Sequence, residues 1–191
     1  MYIKAFMKMI IDRKKFCLTG ILLFLLVLLY ILIFSFSDQD SETSGNLSLT
    51  ISQKCVELVE VVIRKQWTYT FKQELAAYFE HPIRKLAHFC EYACMGILVY
   101  SILAQWMACG KRRSWLTIVW VFVSAAADEF HQLFVPGRYG SFADVLLDTC
   151  GCFFGIVLVR FMIRILKCNR NKFHCNFRKR RKAENNQSCM E

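Results

Sequence analysis

Apolar stretches separated by polar and charged segments organise the chain. The first, 16–36, carries no charge, and at about 1.5 Å per residue it is just long enough to cross a hydrocarbon core of about 30 Å. It is longer than the apolar core of a signal peptide, and Ser37-Asp38-Gln39-Asp40-Ser41 after it offers no small-residue cleavage pattern, so a retained anchor is expected. Three less pure spans are predicted at 86–106, 115–134 and 142–166. The segment 37–85 between the first two opens polar and becomes helix-like over 52–78, where Cys55, Leu58, Val59, Val62 and Ile63 recur at helical spacing and Glu57, Glu60, Arg64 and Lys65 fill other positions. That pattern suits an amphipathic helix on the membrane surface or one packed over the bundle. The expected fold is therefore all-α, an integral membrane bundle of about four transmembrane helices. It comprises an arm (1–15), a membrane domain (16–166, with its outer segment 37–85) and a tail (167–191).

Charge orients the bundle. Lys4, Lys8, Arg13, Lys14 and Lys15 precede the first span, Lys111, Arg112 and Arg113 join the second to the third, and the tail is basic from Lys167 to Lys182. The positive-inside rule puts all three on the cytoplasmic side, which four spans satisfy and three or five do not. Both termini are then cytoplasmic, and segment 37–85 and the turn Val135-Pro136-Gly137-Arg138-Tyr139-Gly140 face outward.

Composition narrows the class. With 55% hydrophobic residues, the formal charge of +10 is accounted for by basic flanks, and no groove-reading or base-stacking motif supports nucleic acid binding. Of the ten cysteines, Cys17, Cys90, Cys94, Cys150 and Cys152 lie in or beside apolar runs, where a thiol behaves as a small hydrophobe, so a disulfide framework is not expected. Cys168, His174, Cys175 and Cys189 in the tail fit no standard zinc spacing.

A charge placed inside a span costs roughly 2.5–3.5 kcal/mol on insertion scales, so such groups tend to mark function. Here they gather at one end. Arg84, Lys85, His88 and Glu91 open the second span, Asp128, Glu129, His131 and Gln132 close the third, Arg138 sits in the turn, and Asp144 and Asp148 open the fourth. Arg84, His88 and Glu91 share a helix face at i, i+4 and i+7, as do Asp128 with His131 and Asp144 with Asp148, so three polar faces could meet in one outward cavity. Interhelical ion pairing alone is the competing explanation. Gly151 and Gly155 form a Gly-x-x-x-Gly on the fourth span, and Ser124-Ala125-Ala126-Ala127 slims the third; both favour close packing.

These motifs resemble the VanZ-like family of membrane proteins. The matching residues are Arg84-Lys85-x-x-His88-Phe89-x-Glu91-Tyr92, Asp128-Glu129-x-His131-Gln132-x-Phe134-x-Pro136-Gly137-Arg138, Asp144-Val145 with Asp148 and Gly151, and Ser37-Asp38-Gln39 after the first span. Asp148 stands where many members are expected to carry Asn. The resemblance covers about 16–166 and implies a multi-pass protein of the bacterial cell membrane, in a family whose namesake is associated with low-level teicoplanin resistance. It implies no reaction, cofactor or metal.

The leading expectation is a cell-envelope protein whose cavity binds a lipid head group or a lipid-linked cell-wall precursor. Arg84, Lys85 and Arg138 would meet phosphate or carboxylate, and Glu91, Asp128, Glu129, Asp144 and Asp148 would orient those cations. The alternative is an intramembrane enzyme acting on a lipid-linked substrate, with His88 or His131 as general base beside Glu91, Asp128 or Glu129. A conduit fits poorly, because the inner halves of the spans are nearly free of ionisable groups.

Overall fold

The computed structural model describes the backbone of residues 2–39 and 41–187 and the side chains of 12–39 and 44–168. The lysines at 4 and 8 and the tail residues His174, Cys175 and Cys189 lie outside the described side chains. The described chain is all helical: α1 (Tyr2–Ser37), α2 (Ser41–Ile63), α3 (Tyr69–Trp106), α4 (Gly110–Gln132) and α5 (Phe142–Gln187). It divides into two compact units, Met1–Ile156 and Val157–Glu191. The second is the distal length of α5, whose described side chains, such as Phe161, Met162 and Leu166, are exposed.

Among the described residues, three helices are long and apolar enough to cross a membrane: Asp12–Ser37, Tyr69–Trp106 and Phe142–Cys168. The expected third span, now α4, does not reach that standard. Basic residues at 111–113 and the group Asp128, Glu129 and His131 crowd both ends of its 23 residues. Even so, α4 is tied to α1 at mid-length, where the Tyr30 hydroxyl and Ser124 Oγ lie 2.6 Å apart and Trp120 Nε1 donates to Tyr30 at 2.9 Å. At the other end of α4, Arg113 lies over the Tyr100 ring of α3, 5.0 Å from its centre.

The predicted helix over 52–78 is instead two helices. α2 ends at Ile63, Arg64 adopts a left-handed backbone (φ 55°), and α3 begins at Tyr69. Residues 64–68 carry no long apolar run, and Glu60 secures the turn by accepting from the Trp67 amide at 2.7 Å and from Lys72 Nζ at 3.1 Å. Those two bonds, the amide's first, hold the Glu60 carboxyl below its ordinary range. Pairing of Ser52 with Ala76 and of Gln53 with Gln73 runs the two helices antiparallel.

The second predicted span also starts earlier than expected. α3 is continuous through Pro82, which has no amide to offer the Tyr78 carbonyl one turn back. Arg84 and Lys85 therefore lie within a helix rather than at its start.

α5 packs on the C-terminal half of α3 through glycine. A Cβ at Gly151 would meet the Phe89 carbonyl oxygen, one at Gly155 that of Ala93, and one at Gly96 the Cys152 backbone at 2.8–2.9 Å. Backbones can approach this closely only where side chains are absent.

Candidate functional site

The local sequence explains why the polar side chains converge. α4 unwinds after Gln132 through i→i+3 turns, with Leu133, Phe134 and Val135 amides donating to Phe130, His131 and Gln132 carbonyls. Gly137 at φ 75° lets the chain reverse without a Cβ clash. Glu129 braces the return by accepting from the Ser141 amide at 2.8 Å. α5 then starts at Phe142 with Asp144 in its first turn, where a carboxylate complements the helix dipole.

The returning chain brings α5 beside α3, where Lys85 Nζ and Asp144 Oδ1 pair at 2.5 Å. Arg84 pairs with Glu80 one turn earlier on its own helix. His88 Nδ1 and Glu91 Oε2 are 3.4 Å apart, an ion-pair distance without hydrogen-bond alignment. Arg138 donates from Nη2 to the Phe36 carbonyl at 2.9 Å, which joins the turn to the end of α1.

Two cavities share this region. The main one, about 400 Å³, has Arg84, Lys85, His88 and Arg138 on its wall, with Glu129, Gln132, Asp144 and Asp148 among them. A side cavity of about 170 Å³ lies between the end of α1, α2 and α3, and Arg84, His88 and Arg138 border both. Asp148 and Asp128 are each 2% exposed, and each has an Oδ1 with no hydrogen-bond partner among the described residues. Buried carboxylate oxygens left in that state call for a partner, since an unsatisfied buried polar group is costly.

Most of the expected site residues come together, but not all. Arg84, Lys85, His88, Glu129, Gln132, Arg138, Asp144 and Asp148 line the main cavity, and Glu91 faces the side cavity. Asp128 lines neither; it accepts from Gln132 Nε2 at 3.2 Å, behind the cavity wall. His131 also lines neither, its ring resting edge-on against Phe34 with centres 5.9 Å apart. Asp128 thus lies behind Gln132 and close to His88 and Tyr92 of α3, His131 turns to Phe34 of α1, and Glu129 and Gln132 are the residues at this end of α4 that reach the cavity lining.

Sequence reasoning missed Glu80 and His81. Glu80 stands four residues before Arg84, the favourable order for a helical ion pair, and that spacing was available to find it. His81 and Tyr139 line the main cavity with no comparable sequence signal. Tyr92, 1% exposed, lies among the carboxylates of Asp128, Asp148, Glu91 and Glu129. Among the described residues no three His, Cys, Asp or Glu side chains converge as a metal site.

A family model described as VanZ/LLP1 matches residues 22–164, which includes every residue on the two cavities. No curated protein and no solved structure matches the chain significantly.

Proposed function

The chain belongs to the VanZ/LLP1 family, and from that premise we propose that it is a multi-pass bacterial membrane protein whose cavity opens outward and binds an anionic head group, of a lipid or a lipid-linked cell-wall precursor. The carrying observation is that Arg84, Lys85, His88 and Arg138 all line one cavity. Carboxylates at Glu80 and Asp144 hold two of those cations, and the Phe36 carbonyl holds a third. Fixed cations in a half-buried pocket suit a phosphate, because guanidinium groups present paired donors in a fixed plane.

In this reading α4 is a fourth span. Its mid-helix polar atoms are satisfied against α1, as hydrocarbon requires, and its crossing lets α5 return the basic tail to the side that holds the N-terminus and the basic 111–113 connection. Cysteine labelling checks the orientation. The Arg112 and Lys111 amides lower the Cys109 thiol, which favours reaction with maleimide. A variant with Cys109 as its only cysteine should label with an impermeant maleimide only in opened cells, and one whose only cysteine is placed by Gln66→Cys in the exposed turn 64–68 should label in intact cells. The reverse pattern would overturn the topology.

A contribution to teicoplanin tolerance follows if the bound head group belongs to the cell-wall pathway. Arg138→Ala should leave the protein inserted, weaken head-group binding roughly ten- to a hundredfold through loss of a charged hydrogen bond of about 1.5–3 kcal/mol, and remove the tolerance. Retained binding and tolerance in that variant would sink the assignment.

One observation favours an enzymatic reading as well: His88 borders both cavities with Glu91 beside it, the parts of a general base. His131, edge-on against Phe34, lines neither cavity, so His88 is the histidine this reading rests on.

A further inference from the structure

The side cavity differs in character from the main one. Phe36, Leu47, Ile51, Ile83 and Ala87 make most of its wall apolar, and Arg84, His88 and Arg138 form its boundary with the polar cavity. Leu47 and Ile51 are 45% and 44% exposed, so this apolar wall continues onto the outer surface of α2.

What covers that surface follows from how α2 packs. Ser44, Ser48, Ser52 and Val56, four residues apart, form its buried ridge, while Leu58 and Val62 are 66% and 80% exposed. A water-facing helix pair would be expected to bury its large apolar side chains. Here small residues face the partner helix, large apolar ones face outward around the exposed Lys54, whose long stem can carry its ammonium up to the head groups, and two serine hydroxyls are satisfied: Ser48 donates to the Ser44 carbonyl and Ser52 to that of Ala76. That is the packing of helices whose solvent is lipid. On α3, Phe71, Tyr78, Phe79 and Leu86 form a matching exposed stripe. At 3.6 residues per turn, and with the helices antiparallel, both stripes fall on the same side of the hairpin.

We propose that the side cavity receives the first stretch of a hydrocarbon chain whose phosphate occupies the main cavity, so that the ligand is an anionic lipid entering sideways from the leaflet. This rests on the anion-binding reading above and adds the ligand's class and route. The apolar face of the hairpin lies against acyl chains, Leu47 and Ile51 lead inward from it, and Arg84, His88 and Arg138 stand where head meets tail.

The test titrates the purified full-length protein in detergent with dioleoyl phosphatidic acid and, separately, with glycerol 3-phosphate. Ile51→Trp fills the side cavity from α2, and Ala87→Phe fills it independently from α3; Ile51 and Ala87 are both solvent-accessible, which favours retained folding. The wild type should bind phosphatidic acid at least about tenfold more tightly than glycerol 3-phosphate, the equivalent of about two buried methylenes. Both variants should lose that margin and keep glycerol 3-phosphate binding. Equal binding of the two ligands by the wild type, or a margin unchanged in both variants, would overturn the lipid proposal and leave anion binding standing. Absence of binding to either ligand would overturn both.

Discussion

Along its N-terminal half α3 meets α2 across the ridge of Ser44, Ser48 and Ser52, whereas along its C-terminal half it meets α5 across Gly96, Gly151 and Gly155. Both contacts use small residues, but they tolerate change differently. At the glycine contact the atoms facing each missing Cβ are backbone, which cannot rotate aside. At the serine contact the key group is a hydroxyl donating 2.7 Å to the Ala76 carbonyl, which can be deleted without a clash. The rigid contact sets the separation of α3 and α5, and therefore of Lys85 and Asp144. The softer one borders the side cavity through Ser44 and Ser48.

Gly155→Val should have the larger effect, because its Cβ runs into the Ala93 carbonyl. Overpacking of this kind costs roughly 1–3 kcal/mol and would push α5 off α3. A lowered thermal midpoint in detergent, together with weakened head-group binding from displaced Asp144 and Asp148, is the expected result. A variant with wild-type stability would show that the two helices are not in backbone contact. Ser52→Ala should cost only about 0.5–1.5 kcal/mol, one hydrogen bond, and leave binding of the head group intact. If it instead destabilised the protein as much as Gly155→Val, the distinction between a rigid and a soft contact would fail.

The difference between these contacts also marks how far the sequence could be read. Gly151 and Gly155 announced a close helix contact by spacing alone, and α5 uses both. The stripe Cys55, Leu58, Val59, Val62 and Ile63 announced a helix, which α2 forms only as far as Ile63, and periodicity identifies a face without saying what covers it; the buried side proved to be mostly serine. In the site, Arg84, His88 and Glu91 share a cavity as their i, i+4, i+7 spacing required. The same arithmetic said less about Asp128 and His131. Helical phase relates them to each other, but the packing of α4 against α3 and α1 set Glu129 and Gln132 on the cavity, Asp128 near Tyr92 and His131 against Phe34.

Local chemistry written in the chain thus determined the helices, the end at which charge collects and the residues able to approach closely, since each follows from neighbours within a turn or two. Tertiary structure decided the rest: that α2 and α3 break at Arg64, that α4 turns His131 onto Phe34, and that a second, apolar cavity adjoins the polar one. These depend on distances between residues far apart in sequence. Tyr30 and Ser124, or Phe36 and Arg138, meet only because the packed bundle brings their helices together.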